Sequence, residues 1–263
     1  MYLLQKPRYS VLHDYIDNYW CLTLDQNRHE FNEHIFADGK ADIIFNFGVS
    51  YQRQTSEQIA GSQIVRVTHL DAQRAYPLTI SQVGSIHLIG VRLQVGALHV
   101  FLDDIPLHEL TGEIVSLDHI FGNEGNVLES RLFDLKRDFN AQVNVLDRFF
   151  LSRLKPKTQL TLVNELGAKL VSLPIHQISK EMGYSERTLH RMFRKQTGFS
   201  PTLYARMLRF QWSLSLLHDV SSTLSEIAYQ CGYYDQAHFT KDFKEFSGIT
   251  PSAFRASLQS NPR

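Results

Sequence analysis

The chain has 263 residues, of which 43% are hydrophobic and 21% charged, the composition of an ordinary globular protein with room for two domains. No apolar run approaches the length of a membrane span, and the first residues lack the layout of a signal peptide. Lysine plus arginine and aspartate plus glutamate number 27 each, so the net charge of zero argues against DNA binding rather than for it.

Charge is nevertheless unevenly distributed along the chain. From residue 161 onward there are 12 lysines and arginines against 8 aspartates and glutamates, a net charge of +4. Residues 1–160 hold 15 against 19, a net charge of −4. Basic charge therefore collects in the last part of the chain, although the excess is modest.

Residues 1–122 are predicted to form a β-rich domain with short flanking helices. The clearest strands are 41–48 and 85–94, which are rich in β-branched and aromatic residues and punctuated by glycine. Asp38-Gly39 before the first of them is a turn signal. A short helix is expected to start between Gly96 and Phe101 and to end near Asp104.

From residue 123 the apolar residues recur at steps of three and four, which predicts helices at about 124–138 and 141–154, the second capped by Asn140. Their apolar stripe is broad enough to pair with a second subunit or to dock two domains. We assign 123–157 as a connector and dimerisation segment, with a linker at 155–158. The third unit, 158–263, is predicted to be all-α, which makes the chain α+β overall.

Seven helices are predicted after this linker, at about 159–171, 175–182, 185–197, 201–217, 224–230, 235–247 and 251–258. Ser200-Pro201 and Thr250-Pro251 each read as an N-cap followed by proline in the first turn. Gly198 and Gly248 stand where a helix ends in a left-handed residue.

The same region repeats itself. Gly183 maps to Gly232 at an offset of 49, and one inserted residue then carries Leu189 to Phe239 and Pro201 to Pro251 at an offset of 50. Each copy consists of a helix, a turn with glycine and a basic amphipathic helix, which is the outline of a helix-turn-helix. A helical bundle that binds a protein is the alternative for either copy alone, and the tandem arrangement makes that interpretation weaker.

The outer faces of the two recognition helices carry side chains that suit a major groove. Residues near the start of such a helix reach bases first, whereas later ones contact the phosphates. The connecting helix of about 17 residues is a rod of roughly 25 Å, which lets the two helices approach one DNA turn of separation, ~34 Å. Candidate base readers are Arg187, His190, Arg191, Gln236, His238 and Lys241, and candidate phosphate contacts are Arg194, Lys195, Arg206, Arg209 and Lys244.

These residues resemble the AraC/XylS family of bacterial transcription regulators. The resemblance covers about 159–258 and is densest over 227–251, with Gly232-Tyr233, His238-Phe239 and Thr250-Pro251 in the family's order. It implies sequence-specific binding to double-stranded DNA through both motifs and control of transcription, usually activation, with RNA polymerase as a partner of an activator. It also implies a base contact at Arg187 and, in the second copy, contacts at 236, 237 and 241.

The first half more loosely resembles the sensor-type domain of unassigned function that precedes this unit in one group of the family, through 38–48, 89–94 and 106–110. A small-molecule effector is expected because aromatic side chains and an arginine on a neighbouring strand could line a cavity in a small β-rich fold. Candidate pocket residues, each of which core packing or a surface ion pair also explains, are Trp20, Phe36, Phe45, Phe47, Tyr51 and Arg92.

Enzymatic and metal-binding functions find little support in the pattern. Eight of the 12 histidines precede residue 122, yet His29 and His34, five residues apart, do not give the spacing of a cupin-like metal site. Cys21 and Cys231 form no metal or redox spacing and suggest a reducing cytoplasm, with Cys21 either a reactive thiol or, preferably, a core residue. We expect no enzymatic activity, no cofactor, no metal and no membrane association.

The leading interpretation is thus a cytoplasmic, effector-responsive transcription regulator that can form a homodimer. The alternatives are a metal-binding or enzymatic first domain fused to a DNA-targeting unit, and a protein-binding adaptor.

Overall fold

The computed structural model describes residues 1–24, 30–55, 62–65, 67–102, 105–154 and 160–260. Strands occupy the first part of the chain and helices the second, as the sequence predicts. The strands are β1 (Tyr2–Gln5), β2 (Ile16–Leu24), β3 (Glu30–Ile35), β4 (Asp42–Asn46), β5 (Tyr51–Gln54), β6 (Ser62–Val65), β7 (His69–Asp71), β8 (Leu78–Val83), β9 (Ile86–Leu93) and β10 (Ile114–Ser116).

The strands form two antiparallel sheets. The first has six strands in the order β1-β2-β9-β4-β7-β10, and the second has four in the order β3-β8-β5-β6. The two strands that the sequence predicts most clearly, β4 and β9, are direct neighbours in the first sheet, with Ile43 opposite Val91 and Phe45 opposite Ile89.

Successive side chains on a strand alternate between the faces of a sheet, and this alternation divides the first sheet into two environments. On one face, Tyr19, Phe45 and Ile89 belong to the largest hydrophobic cluster of the protein. On the other, Ile44 and Leu88 form a separate cluster with Trp20 and Phe31. The first face packs against helices, and the second faces a cavity described below.

Helices cover the first face of this sheet. They are α1 (Leu98–Phe101), α2 (Leu107–Leu110), α3 (Leu117–Phe121), α4 (Asn123–Asp134) and α5 (Phe139–Arg153). In α5, Val143, Leu146 and Phe150 are fully buried, and the Tyr19 hydroxyl donates a hydrogen bond to Asp147 Oδ1 at 2.8 Å. The apolar stripe of α5 is therefore covered within the chain.

The predicted cap of this helix is wrong. Asp138, not Asn140, is the N-cap, and its Oδ1 accepts a hydrogen bond from the Ala141 amide at 3.0 Å. Asn140 lies inside α5, because the helix begins two residues earlier than predicted. The predicted linker at 155–158 and the predicted helix end at Asp104 lie outside the described residues.

The last part of the described chain contains the seven predicted helices, each within two residues of its expected bounds. None of the helices in the described ranges is both long and apolar enough to cross a membrane. The seven are α6 (Thr161–Leu170), α7 (Ile175–Met182), α8 (Glu186–Thr197), α9 (Pro201–Leu216), α10 (Leu224–Gln230), α11 (Gln236–Ser247) and α12 (Pro251–Ser260).

The two helix-turn-helix units pack into different cores. Ile178, Leu189 and Phe193 of the first unit, with Leu166 of α6, share one hydrophobic cluster with the first sheet and its helices. The second unit forms a cluster with α9, to which the first domain contributes only Ala37 as a fully buried member.

Candidate nucleic-acid interface

The turns of the two units have the same backbone geometry. Gly183 and Gly232 both adopt left-handed conformations, with φ of 70° and 75°. The next amide in each turn donates a hydrogen bond of 3.0 Å back to the first helix, from Tyr184 to the Ser179 carbonyl and from Tyr233 to the Ala228 carbonyl. The glycines are required because a left-handed residue with a Cβ is strained.

Both recognition helices begin with a side-chain cap. Ser185 Oγ accepts a hydrogen bond from the Thr188 amide at 3.1 Å, and Asp235 Oδ1 accepts one from the His238 amide at 2.7 Å. These bonds satisfy amides that lack a partner in the first turn of a helix. α8 and α11 thus begin with the same kind of side-chain N-cap.

The ends of the two helices also match. Thr197 and Ser247 are fully buried, and each hydroxyl donates to the carbonyl four residues earlier, at 2.8 Å for Phe193 and 2.6 Å for Phe243. Gly198 then ends α8 and Gly248 ends α11, both in the left-handed conformation. The offset of 50 in the sequence is therefore an equivalence in three dimensions.

One face of each recognition helix is buried and the opposite face is exposed. Leu189, Phe193, Phe239 and Phe243 have no exposed surface. Of the predicted base readers, His190 is half-buried and the other five are exposed: Arg187, Arg191, Gln236, His238 and Lys241.

Two of these side chains in α11 are held by neighbours. Gln236 Oε1 accepts a hydrogen bond of 2.7 Å from the Ser225 hydroxyl of α10, which orients its amide. His238 Nε2 lies 3.8 Å from Asp242 Oδ2, and its ring packs edge-on against Tyr233. A base contact by either residue would use the atoms that these interactions leave available.

The predicted phosphate contacts divide into two groups. Arg194, Lys195 and Lys244 are exposed near the ends of the recognition helices. Arg209 is half-buried, with its guanidinium 5.4 Å from the centre of the Tyr233 ring. Stacking of this kind orients a guanidinium without neutralising it.

Arg206 does not fit the predicted role. Its Nη2 lies 2.8 Å from Asp242 Oδ1 and 2.5 Å from Glu245 Oε2, so its charge is neutralised by α11. Asp242 is only 2% exposed and needs this partner because a buried, unpaired carboxylate is costly. Arg206 joins α9 to α11 rather than standing free for a phosphate.

Two exposed tyrosines near the second turn were missed by the sequence analysis. Tyr234 is 94% exposed and Tyr229 84% exposed. Tyr234 is the inserted residue that changes the offset between the copies from 49 to 50. This insertion in the sequence could have pointed to Tyr234. It places an aromatic side chain immediately before the cap of α11.

The first domain contacts the first recognition helix directly. His108 of α2 lines a surface groove together with Arg187, His190, Arg191 and Arg194 of α8. At the end of α8, a Cβ built on Gly198 would lie 2.6 Å from Gln73 Nε2. The outer face of α8 is therefore bordered by the β-rich domain.

The predicted effector residues are only partly brought together. Trp20, Phe36, Tyr51 and Arg92 line one cavity of about 420 Å³ between the two sheets. The prediction for Phe45 and Phe47 is wrong. Phe45 lies on the opposite face of β4 in the hydrophobic core, and the Phe47 ring packs against Phe133, 5.6 Å between centroids.

The remaining candidate chemistry of the first domain is sparse. Within the described residues, no group of three or more His, Cys, Asp and Glu side chains is arranged to hold a metal ion. His29 lies outside the described residues. Cys21 is 5% exposed, and burial raises the pKa of its thiol, which opposes formation of a reactive thiolate. Cys21 is accordingly a core residue.

Comparisons with known proteins divide the chain in the same way. Residues 178–257 match a family described as a helix-turn-helix domain. Residues 7–116 match a family described as a domain of unknown function (DUF6597).

Curated relatives match part of the chain only. The Msm operon regulatory protein of Streptococcus mutans is 34% identical over 90 residues, 34% of this chain and 32% of the relative. The transcriptional activator RhaS of Escherichia coli is 33% identical over 78 residues, 30% of this chain and 28% of the relative. RhaR of Escherichia coli is 30% identical over 113 residues, 41% and 40% of the two chains. The chain thus spans about a third of the length of the relatives it matches.

One of the solved structures that match is that of ToxT from Vibrio cholerae, with a TM-score of 0.47 and 11% sequence identity. The match covers 90% of this chain and 98% of the ToxT chain. The DNA-binding domain of AdpA in complex with a target DNA covers 38% of this chain and 91% of its own, with a TM-score of 0.35 and 24% identity. The last part of the chain is thus similar to a helix-turn-helix family and to the matching parts of these regulators, and the part before it is similar to a domain family without known function.

Proposed function

We propose that this protein is a sequence-specific DNA-binding transcription regulator that inserts α8 and α11 into two successive major grooves. The observation that carries the proposal is the equivalence of the two units, in which turn, cap and helix end coincide at offsets of 49 and 50. Two readers on one stiff connecting helix suit a binding site about two helical turns long.

The exposed side chains support this proposal. Arg191 of α8 and Lys241 of α11 are equivalent in the repeat, and both are exposed. Arginine can make paired hydrogen bonds to guanine in the major groove, and lysine can contact the same acceptors. We assign Arg194, Lys195 and Lys244 to phosphates because all three are exposed near the ends of the recognition helices. This electrostatic part of the affinity should weaken as salt rises.

Regulation by a small molecule is part of the same proposal. The cavity of about 420 Å³ has the size of a ligand site and touches α9 of the helix-turn-helix domain. We further propose that the protein acts as a homodimer in contact with RNA polymerase. The exposed apolar side chains of α4, Val127 at 42% and Phe133 at 63%, support a second subunit at this helix.

Footprinting of the purified full chain on the DNA that flanks its own coding region tests the central proposal. We expect one protected stretch with two segments about one helical turn apart, and an affinity that falls steeply with salt. A single protected segment would contradict the two-groove arrangement. Absence of any salt-dependent DNA affinity would favour the protein-binding adaptor instead.

Sedimentation tests the homodimer separately. We expect a dimer at micromolar concentration, alone or on DNA, and a shift towards monomer in the Phe133→Ser variant. Only monomer under both conditions would contradict this part of the proposal and leave the DNA-binding part intact.

A further inference from the structure

The cavity between the two sheets has a rigid apolar wall. Trp20, Gly90 and Ile44 are paired across the neighbouring strands β2, β9 and β4. A Cβ on Gly90 would collide with the Trp20 indole, so the glycine makes the space in which this ring lies. The indole N–H donates to Asp42 Oδ1 at 3.0 Å and holds the ring in place. The cavity is therefore preformed around an aromatic surface.

Beside this wall runs a polar row in the same sheet. Asn18 pairs with Arg92, Arg92 with Asp42, and Asp42 with Asp71, across the four adjacent strands β2, β9, β4 and β7. All four side chains line the cavity. Because β4 and β7 are adjacent and adjacent strands lie about 5 Å apart, Asp42 and Asp71 are near enough to face one small ligand.

One end of the row carries excess negative charge. Arg92 Nη1 donates to Asp42 Oδ2 at 2.7 Å, and Arg92 Nη2 contacts Asp38, so two carboxylates share one guanidinium. Burial raises the pKa of Asp42, which reflects the poor solvation of its charge. Among the described residues, Asn18 Oδ1, which also lines the cavity, is buried without a hydrogen-bond partner. A cationic group of a ligand would balance the second carboxylate at this end.

The other end carries excess positive charge. Arg74 Nη1 and Arg53 Nη2 lie 3.0 and 3.2 Å from the two oxygens of Asp71, so two guanidiniums share one carboxylate. The Arg74 side chain is 6% exposed and lines the cavity, and its Nε–H is buried without an acceptor in the part of the chain that the structure describes. A buried donor of this kind is rare unless a ligand or water satisfies it. An anionic group of a ligand would balance the second guanidinium at this end.

We propose that the cavity binds a small zwitterion with an apolar side group, of the size and charge pattern of an amino acid. Its ammonium group lies at Asp38 and Asp42, its carboxylate accepts from Arg74, and its apolar group packs on Trp20. Binding by fixed, opposite charges discriminates strongly against analogues that lack one charge, because the unmatched buried group is left unpaired.

The ligand site is joined to the helix-turn-helix domain by the turn at 37–39. The Ala37 amide donates to the Phe246 carbonyl of α11 at 3.0 Å, and its carbonyl accepts from Gln211 Nε2 of α9 at 2.6 Å. A Cβ on Gly39 would lie 3.2 Å from the Phe199 ring. Asp38 thus connects the ligand to α9 and α11, and this coupling rests on the proposed function.

Ligand binding is measured on the full chain by Trp20 fluorescence. The sequence contains two tryptophans, and Trp212 lies 44% exposed on α9, so Trp212→Phe leaves Trp20 as the only reporter. The probes are the twenty common amino acids, each with its N-acetyl derivative, which lacks the cation, and its decarboxylated amine, which lacks the anion. We expect at least one amino acid to bind at least tenfold tighter than both derivatives.

Arg74→Gln should lower the affinity for that amino acid at least tenfold and leave the affinity for its amine unchanged. If this variant does not fold, the probe series on the parent protein still decides the matter. No binding by any amino acid, or equal binding of an amino acid and either derivative, would overturn the proposal.

A second readout separates this inference from the proposed function. Saturating ligand should change the affinity for the footprinted DNA at least fivefold, within the usual range of allosteric coupling. DNA binding without ligand binding would overturn the inference alone. Ligand binding without any DNA binding would overturn the proposed function alone.

Discussion

The two helix-turn-helix units have the same backbone course in different surroundings. The first shares its core with the β-rich domain, and its last turn lies against residues 73, 107 and 111. The second has a core of its own with α9 and is held by an ion-pair cluster and a capped first helix. A repeated sequence motif thus determines the helices and turns of both units. The interactions that stabilise each unit depend instead on the residues that pack against it.

The largest expected effect is a difference in stability between substitutions at the ends of α8 and α11. Gly198→Ala and Gly248→Ala both place a Cβ on a left-handed residue, at about 1–2 kcal/mol each. At Gly198 the new Cβ also collides with Thr111 and lies 2.6 Å from Gln73 Nε2, whereas at Gly248 the nearest atom, His34 Nε2, is 3.5 Å away. Overpacking adds about 1–3 kcal/mol at Gly198.

Urea unfolding of the two variants measures this difference. We expect Gly198→Ala to lower the free energy of unfolding by about 2–5 kcal/mol and Gly248→Ala by about 1–2 kcal/mol. Equal losses would mean that the β-rich domain does not press on the end of α8.

The next effect concerns the second copy alone. Met192 of α8 corresponds to Asp242 of α11, which is buried against Arg206. Arg206→Ala should lower the free energy of unfolding by about 3 kcal/mol, because it leaves a buried carboxylate without its main partner. The control Glu245→Ala removes an exposed partner and should cost less than about 1 kcal/mol.

A stability measurement together with a DNA titration distinguishes the two roles considered for Arg206. If Arg206→Ala weakened DNA binding on every sequence and left stability unchanged, the original assignment to phosphate would be restored.

The two reading helices are compared by matched substitutions at equivalent positions. Arg191→Ala and Lys241→Ala should each reduce the affinity for the operator by ~1–3 kcal/mol and relax specificity, each in its own segment of the site. Lys244→Ala should instead weaken binding to all sequences about equally. Binding to a set of operator variants measures this pattern. Uniform losses for all three would show that readers and phosphate contacts are misassigned.

The smallest effect lies at the start of the two units. Thr223 of α10 takes part in a reciprocal cap with Glu226, whereas the equivalent position of α7 is Pro174, which makes no side-chain cap bond. Thr223→Ala should cost about 1 kcal/mol. Thr202→Ala, at an exposed threonine of α9, is the control and should change stability by less than about 0.5 kcal/mol.

The cap also has a pH dependence. The Thr223 amide and hydroxyl hold the pKa of Glu226 below its usual range. A carboxyl whose pKa is lowered by folding stabilises the protein fully above its unfolded pKa, and this contribution is lost as the pH falls through the lowered value. An NMR titration of Glu226 should give a higher pKa in Thr223→Ala than in the parent protein. An unchanged pKa would contradict the cap.

Much of the helical half was predictable because its signals are local. Caps, prolines and left-handed glycines act within one turn, and α7, α8, α10 and α11 accordingly begin and end within one residue of expectation. The error at Asn140 has the same origin, since two neighbouring polar residues can both cap a helix and only packing selects Asp138.

The β-rich half and the site were less predictable because their determinants are not local. Phe45 and Ile44 are adjacent in sequence, yet they face opposite sides of the sheet, and no local signal tells which side is the cavity. Likewise, the partners of Arg206 lie 36 and 39 residues away along the chain. The sequence of α9 alone therefore does not indicate that the charge of Arg206 is neutralised.

The shared core of the first unit has a consequence for how this protein can be divided. Val163 of α6 and Leu160 just before it lie near Gly96, with 3.1 and 3.4 Å to a Cβ built there. A cut at residue 158 therefore divides a hydrophobic contact surface. An excised second half would expose that surface to water. The hydrophobic cluster of its second helix-turn-helix unit and α9 would stay largely covered. If the β-rich half were exchanged for an unrelated domain, α8 would lose the residues that pack against it. The new domain would have to supply a matching apolar surface.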